Sequence, residues 1–255
     1  MPESLIVIPA RFESSRFPGK PLTIIAGKSL IQRVYEQCME SDADDVIVAT
    51  DDQRIFDHVL SFDGNVCMTS VNHENGTERT IEAVERLMDQ GEDYDVIINV
   101  QGDEPLVSPD DINRLIKLFD EQEVDIATLI KKIDKVEELT NPNIVKALVT
   151  DFEEEVADLL YFSRAPLPFV RDMELDEAIE KFTFYKHIGL YAFDCEQLFT
   201  LKDTVASELE QAEKLEQLRW LQNHYVVSAI LTENESIGVD TPEDVAIVEN
   251  ILKSR

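Results

Sequence analysis

Arg11, Arg16 and Lys20 place three cations within ten residues, in the segment Pro9-Ala10-Arg11-Phe12-Glu13-Ser14-Ser15-Arg16-Phe17-Pro18-Gly19-Lys20-Pro21-Leu22 that follows an apolar run. Guanidinium forks match phosphate oxygens, a lysine adds a point charge, and Gly19 lets the backbone come close to a ligand. With the hydroxyls of Ser14 and Ser15, this is suitable chemistry for a triphosphate. The pattern G-x-x-x-x-G-K-[ST] is absent, which disfavours a P-loop kinase or ATPase. A lone Pro-Gly-Lys turn would read as a solvated basic loop. Three cations on one loop of a strongly acidic chain point instead to an anion site.

Two acidic turns complement the loop. One is Gln101-Gly102-Asp103-Glu104-Pro105; the other is Gly238-Val239-Asp240-Thr241-Pro242-Glu243-Asp244. A divalent metal that bridges phosphates is held by one or two protein carboxylates, so Asp103 and Asp240 together could hold magnesium. Each turn also has an ordinary reading, as a Gly-Asp turn or as an acidic helix start. Their joint presence with the basic loop favours the metal.

The elements that must position these groups are short apolar runs alternating with helical patterns, the signature of a mostly parallel sheet flanked by helices in an α/β fold. Strands are expected at 5–10, 46–50, 66–69, 96–100, 126–130, 145–150, 159–163, 187–193 and 226–231. Several are rich in Val and Ile, as strands covered on both faces require. Leu30, Ile31, Val34, Tyr35, Cys38 and Met39 recur at helical spacing, and helices are also expected at 77–90, 109–122, 208–223 and 242–253. Ser108-Pro109 and Thr241-Pro242 each set a capping hydroxyl before a first-turn proline. Residues of about 121–184 break the β-α rhythm and carry Ala165-Pro166-Leu167-Pro168. That stretch reads as a smaller inserted lobe, a second layer or a subunit contact, within one domain spanning 1–255.

The 255 residues are 44% hydrophobic, enough for a proper core. A net charge of −30 argues against affinity for nucleic acid or an anionic membrane. Residues 1–33 hold five basic and two acidic side chains, +3, and leave −33 on the other 222, so an anion would go to the N-terminal end. Cys38, Cys67 and Cys195 form no C-x-x-C pair, which makes a disulfide framework or a zinc site unexpected. The early apolar run is too short for a signal peptide or a membrane span, so a cytoplasmic protein is expected.

Eight blocks in order along nearly the whole chain carry a specific resemblance: I-P-A-R-F-x-S-S-R-F-P-G-K-P-L (8–22), A-T-D-D (49–52), N-G-T-E-R (75–79), N-V-Q-G-D-E-P (99–105), Y-F-S-R-A (161–165), K-H-I-G-L-Y (186–191), L-E-Q-L-R (215–219) and G-V-D-T-P-E-D (238–244). The chain resembles the 3-deoxy-manno-octulosonate (Kdo) cytidylyltransferases, also called CMP-Kdo synthetases. The resemblance implies a nucleotide-diphospho-sugar transferase-like fold, with the central lobe helping to form a homodimer. It implies that Arg11, Ser14, Arg16 and Lys20 bind the CTP phosphates, that Gly76, Thr77 and Arg79 lie near the cytidine, and that Asp103 and Asp240 hold Mg2+. For the sugar it implies Gln101, Arg164, Arg171, His187, Tyr191, Glu216 and Gln217. Read alone, His187 in a strand could be a packed histidine, and Glu216 and Gln217 an exposed helix face. Asn75 stands where members commonly carry serine.

The expected reaction is attack of the sugar's anomeric hydroxyl on the α-phosphorus of CTP, with release of pyrophosphate, to activate Kdo for lipopolysaccharide synthesis. Catalysis is expected to rest on Lys20, Arg16, Asp103 and Asp240. Alternatives are the same reaction on 8-amino-3,8-dideoxy-manno-octulosonate or a sialic acid, and a non-catalytic nucleotide-binding subunit.

Overall fold

A computed structural model describes residues 1–13, 17–235 and 237–254. The chain divides into two compact units, one of residues 1–121 and 235–255, the other of residues 122–234. The second begins where the β-α rhythm was read as broken and continues past Phe184 to Asn234.

The first unit starts with β1 (Ser4–Ala10), buried along nearly its whole length. A small hairpin, β2 (Ile24–Ile25) and β3 (Lys28–Ser29), leads into α1 (Leu30–Cys38), whose N-terminus is capped by the Ser29 hydroxyl. Then follow β4 (Asp45–Thr50), α2 (Gln53–Leu60), β5 (Val66–Met68), α3 (Gly76–Met88), β6 (Val96–Val100) and α4 (Pro109–Glu121). The strand order is β5-β4-β1-β6, with every pairing parallel. The chain steps outward from β1 to β4 and β5, then returns to the other side of β1 for β6. That reversal makes the ends of β1 and β6 the switch point, where open α/β sheets bind ligands.

The second unit holds β7 (Ile126–Lys132), α5 (Val136–Thr140), β8 (Lys146–Val149), β9 (Val156–Ser163), α6 (Leu175–Lys181), β10 (Tyr185–Asp194), α7 (Cys195–Leu201), α8 (Glu208–Glu213), α9 (Gln217–Gln222) and β11 (Val227–Leu231). Its strands run in the order β10-β7-β11-β9-β8, and β8 also pairs with β10. Only β7 and β11 are parallel; the other pairs are antiparallel. The mostly parallel sheet expected from the sequence therefore describes the first unit. The chain then re-enters that unit and ends in α10 (Pro242–Ser254).

The helix expected over 208–223 is two helices. Lys214 sits in the left-handed region at φ 55° between α8 and α9. The Arg164 guanidinium donates to the Glu213 carbonyl at 2.7 Å, and the Glu213 carboxylate accepts from the Ser163 hydroxyl and the Arg164 N–H. Glu213 is thus tied to the end of β9, and no glycine marks the break. Helix α2 escaped the sequence reading because its apolar anchors are only Ile55 and Val59.

Candidate active site

The site grows from the ends of β1 and β6. Arg11, the first residue after β1, is exposed at the rim of a cleft. The loop after it is closed at its far end by Gly19, whose N–H donates to the Phe12 carbonyl at 2.9 Å. Gly19 has φ 73°, and a Cβ there would lie 3.0 Å from the Phe12 ring, so conformation and space both favour glycine. Ser14 and Arg16 lie outside the described residues.

On the next residue, the Lys20 ammonium lies 2.6 Å from the Asp103 carboxylate and 3.3 Å from that of Asp240. Its side chain is 13% exposed. Two features hold the carboxylates in place. The Val239 N–H donates to the Asp103 carbonyl at 2.9 Å, and Val239 is buried with Ile25, Leu30, Leu106 and Val248. At the start of α10, the Asp244 carboxylate accepts from the N–H groups of Asp240 and Thr241, at 2.9 and 2.8 Å, and from the Thr241 hydroxyl. Burial pushes the Asp244 carboxyl upward, but these hydrogen bonds outweigh it and hold its pKa below the ordinary range. The cap expected from Thr241 is therefore built around Asp244, and it fixes the backbone of a metal-ligand candidate. On the β6 side, a Cβ on Gly102 would stand 2.9 Å from the Pro9 carbonyl oxygen. Glycine is required there because the ends of β1 and β6 approach closely.

A second wall comes from the start of α3. The Asn75 side chain accepts from the Glu78 N–H at 2.8 Å. This is the N-cap role a serine would fill, so the departure from the family's usual residue keeps the helix start. Gly76, Arg79 and Gln101 face the same cleft as Arg11, Lys20, Asp103 and Asp240. Thr77 is buried within α3. Arg79 is 3% exposed; its guanidinium donates to Asp51 at 2.7 Å and to the Thr69 hydroxyl at 2.5 Å.

The sequence assigned no role to the block 49–52, yet its two aspartates support both walls. Asp51 neutralises Arg79. Asp52 caps α2 and grips Arg54 through two side-chain hydrogen bonds of 2.9 and 2.6 Å. Arg54 in turn lies 3.3 Å over the Phe12 ring, a cation–π contact at the base of the basic loop. The signal available in the sequence was a pair of carboxylates at the end of β4, beside β1.

The remaining sugar candidates belong to the second unit. His187 and Tyr191 lie on β10 either side of a register shift, with ring centroids 5.1 Å apart. The Thr128 hydroxyl lies 3.0 Å from His187 Nε2 and 2.8 Å from the Leu190 carbonyl oxygen. Burial lowers the His187 pKa to about 3, so the ring is neutral. The Tyr191 hydroxyl is buried and has no hydrogen-bond partner among the described residues, and burial followed by the charge of Glu216 pushes its pKa well up. Tyr191 also packs edge-on against Trp220 of α9. Glu216 and Gln217 stand at the start of that helix, and Gln217 is buried. The structure thus brings His187, Tyr191, Glu216 and Gln217 into one neighbourhood. The Arg164 guanidinium donates to the carbonyls of Pro142 and Glu213. Arg171 is exposed beside Asp172.

Asp103 and Asp240 fit a magnesium ion. Both converge on one cation, the Lys20 ammonium, and their hard oxygens are the donors magnesium prefers. Among the described residues no group of three or more His, Cys, Asp or Glu could hold a metal. No helix among the described residues is long and apolar enough to cross a membrane.

The cytidylyltransferase family model matches residues 5–236. A 3-deoxy-manno-octulosonate cytidylyltransferase from Parabacteroides distasonis is 46% identical over 253 residues, covering 98% of each chain. A structure described as CMP:2-keto-3-deoxy-manno-octonic acid synthetase complexed with CTP superposes with a TM-score of 0.88 at 37% identity, covering 99% of both chains. Apo UDP-glucose pyrophosphorylase, at 14% identity, covers 98% of both chains with a TM-score of 0.68 and shares the nucleotidyltransferase fold. With near-complete coverage by these relatives, and a basic loop set against two carboxylates at the sheet's switch point, the chain belongs to the 3-deoxy-manno-octulosonate cytidylyltransferase family.

Proposed function

We propose that this enzyme transfers CMP from CTP to the anomeric hydroxyl of Kdo, releasing pyrophosphate, and so activates the sugar for lipopolysaccharide synthesis. The observation that carries the reading is the Lys20 ammonium held between Asp103 and Asp240 in the cleft shared with Arg11 and Gln101. Little covalent chemistry is asked of the protein in phosphoryl transfer; positioning and charge do the work. Lys20 and Arg11, with Arg16, bind the phosphates and stabilise the charge that grows on the leaving pyrophosphate. Asp103 and Asp240 would hold magnesium, which when bound neutralises phosphate charge as a Lewis acid. Gly76, Thr77 and Arg79 position the cytidine. Gln101, Arg164, Arg171, His187, Tyr191, Glu216 and Gln217 are assigned to the sugar, where a neutral His187 and the unpartnered Tyr191 hydroxyl can exchange hydrogen bonds with sugar hydroxyls.

We place the enzyme in the cytoplasm as a homodimer. Exposed Leu160, Phe169, Phe182 and Val205 of the second unit support the dimer, and light scattering on the purified chain tests it. The function is tested by pyrophosphate release from CTP with Kdo, 8-amino-3,8-dideoxy-manno-octulosonate or sialic acid in parallel. Turnover is expected with Kdo. Release only with one of the others reassigns the sugar, and silence with all three removes the activity.

A further inference from the structure

The wall of the cleft next to Gly76 is a loop with no apolar anchor. It joins β5 to α3, and its only large apolar side chain, Val71, is 73% exposed. Asn72 and Glu74 are exposed as well. Nevertheless His73, Glu74 and Asn75 line the cleft, so something polar must set their place. Two carboxylates of α3 do so. Glu78 accepts from the Glu74 N–H at 2.9 Å and from the Asn75 side-chain amide at 3.1 Å. Glu82, one turn further on, accepts from the Ser70 N–H at 2.8 Å and pairs with His73 Nε2 at 2.5 Å. Its other oxygen is held by Arg86, at 2.9 and 2.7 Å.

Glu82 does not line the cleft, yet it fastens both the start of the loop and the one aromatic side chain the loop presents to the cleft. Glu78 lies next to the cap and shares its work with Asn75. Glu82 reaches residues nine and twelve positions earlier; Arg79 adds a 3.3 Å bond to the Ser70 carbonyl and Glu78 lies 3.8 Å from His73 Nδ1, but Glu82 alone bonds both Ser70 and His73. We propose that Glu82 is a positioning residue for the nucleoside wall: by fixing His73 and the 70–75 loop it sets the affinity for CTP and the preference for CTP over other nucleoside triphosphates. Burial pushes the Glu82 carboxyl up, but the bonds from Ser70, His73 and Arg86 outweigh it and bring its pKa to about 2. The carboxylate therefore stays charged at neutral pH.

The inference rests on the cleft being the nucleotide site. Its test is CTP titration by calorimetry, with kcat and KM measured for CTP and UTP, on the wild type, Glu82→Ala, Glu82→Gln and Lys20→Ala. Glu82→Ala is expected to weaken CTP binding roughly tenfold or more, to lower the CTP-to-UTP ratio of kcat/KM, and to leave kcat with CTP much less changed. Glu82→Gln retains one acceptor oxygen and should fall between; it carries the test if the alanine variant does not fold. A role confined to stability would lower the melting temperature and leave the CTP-to-UTP ratio alone. Glu82 variants that fold and keep both CTP affinity and that ratio at wild-type values overturn the proposal, provided Lys20→Ala weakens CTP. If Lys20→Ala leaves CTP affinity unchanged, the nucleotide cleft itself is misplaced and the inference falls with it.

Discussion

Lys20, Asp103 and Asp240 meet although 220 positions separate the first from the last. A lysine held between two carboxylates keeps them from repelling each other, and the magnesium proposed here would take the same oxygens. Asp103→Asn and Asp240→Asn should each reduce turnover by at least about a hundredfold, ~2.7 kcal/mol of transition-state stabilisation. Steady-state pyrophosphate release, with circular dichroism to confirm the fold, measures this; near-normal turnover in either variant would remove that aspartate from the proposed metal site. His187 makes a prediction about pH. Its folded pKa lies near 3 against an ordinary 6.5, because burial disfavours the charged ring. The unfolded chain then binds a proton that the folded one refuses, so the neutral ring's contribution to stability is complete above about pH 6.5 and is lost as pH falls toward 3. Replacement by an uncharged ring, His187→Phe, should flatten the fall in melting temperature between pH 7 and 4. An NMR titration of the His187 ring near its ordinary pKa would contradict this.

At the scale of elements, helix starts and strand ends do the positioning. Asn75→Ala removes the cap of α3 and should cost about 1 kcal/mol, seen as a fall in melting temperature of roughly 2–4 °C for a chain of this size. Asn75→Ser should be close to neutral, since either side chain accepts from the Glu78 N–H. Gly102→Ala is a harsher test. Its new methyl would meet the Pro9 carbonyl at 2.9 Å, and separating the ends of β1 and β6 should destabilise the fold by about 1–3 kcal/mol. The shift would also move Asp103 relative to Lys20. Activity is therefore expected to drop further than stability alone explains, as chemical denaturation and turnover on one sample would reveal. Unchanged turnover in the folded variant would show that this close approach does not set the site.

For the whole molecule, the dominant quantity is the net charge of −30. Such a charge repels itself in the compact state, and salt screens it within a Debye length of about 8 Å at physiological ionic strength. The melting temperature should rise as sodium chloride goes from about 0.01 to 0.15 M, a Debye length falling from ~30 to ~8 Å. A flat or falling curve in calorimetry would mean that local ion pairs, such as Arg219 with Glu210 at 2.6 Å, outweigh the repulsion.

The basic loop, the two acidic turns and the strands that lead into them were legible in the sequence because they are local. Each consists of neighbouring residues of telling type, and the alternation of short apolar runs with helical periods fixes the α/β class. The start of α10 at Pro242 was legible for the same reason. What the linear order could not show is which distant groups neutralise one another. Asp51 reaches Arg79, Asp52 reaches Phe12 through Arg54, and Glu82 reaches back to Ser70 and His73. The break between α8 and α9 was hidden likewise, because Lys214 carries no turn signal and contacts from β9 decide it. Short-range propensity and period are written in the order of residues, whereas the pairing of buried charges depends on which strand ends the topology brings together, and only the tertiary structure decides that.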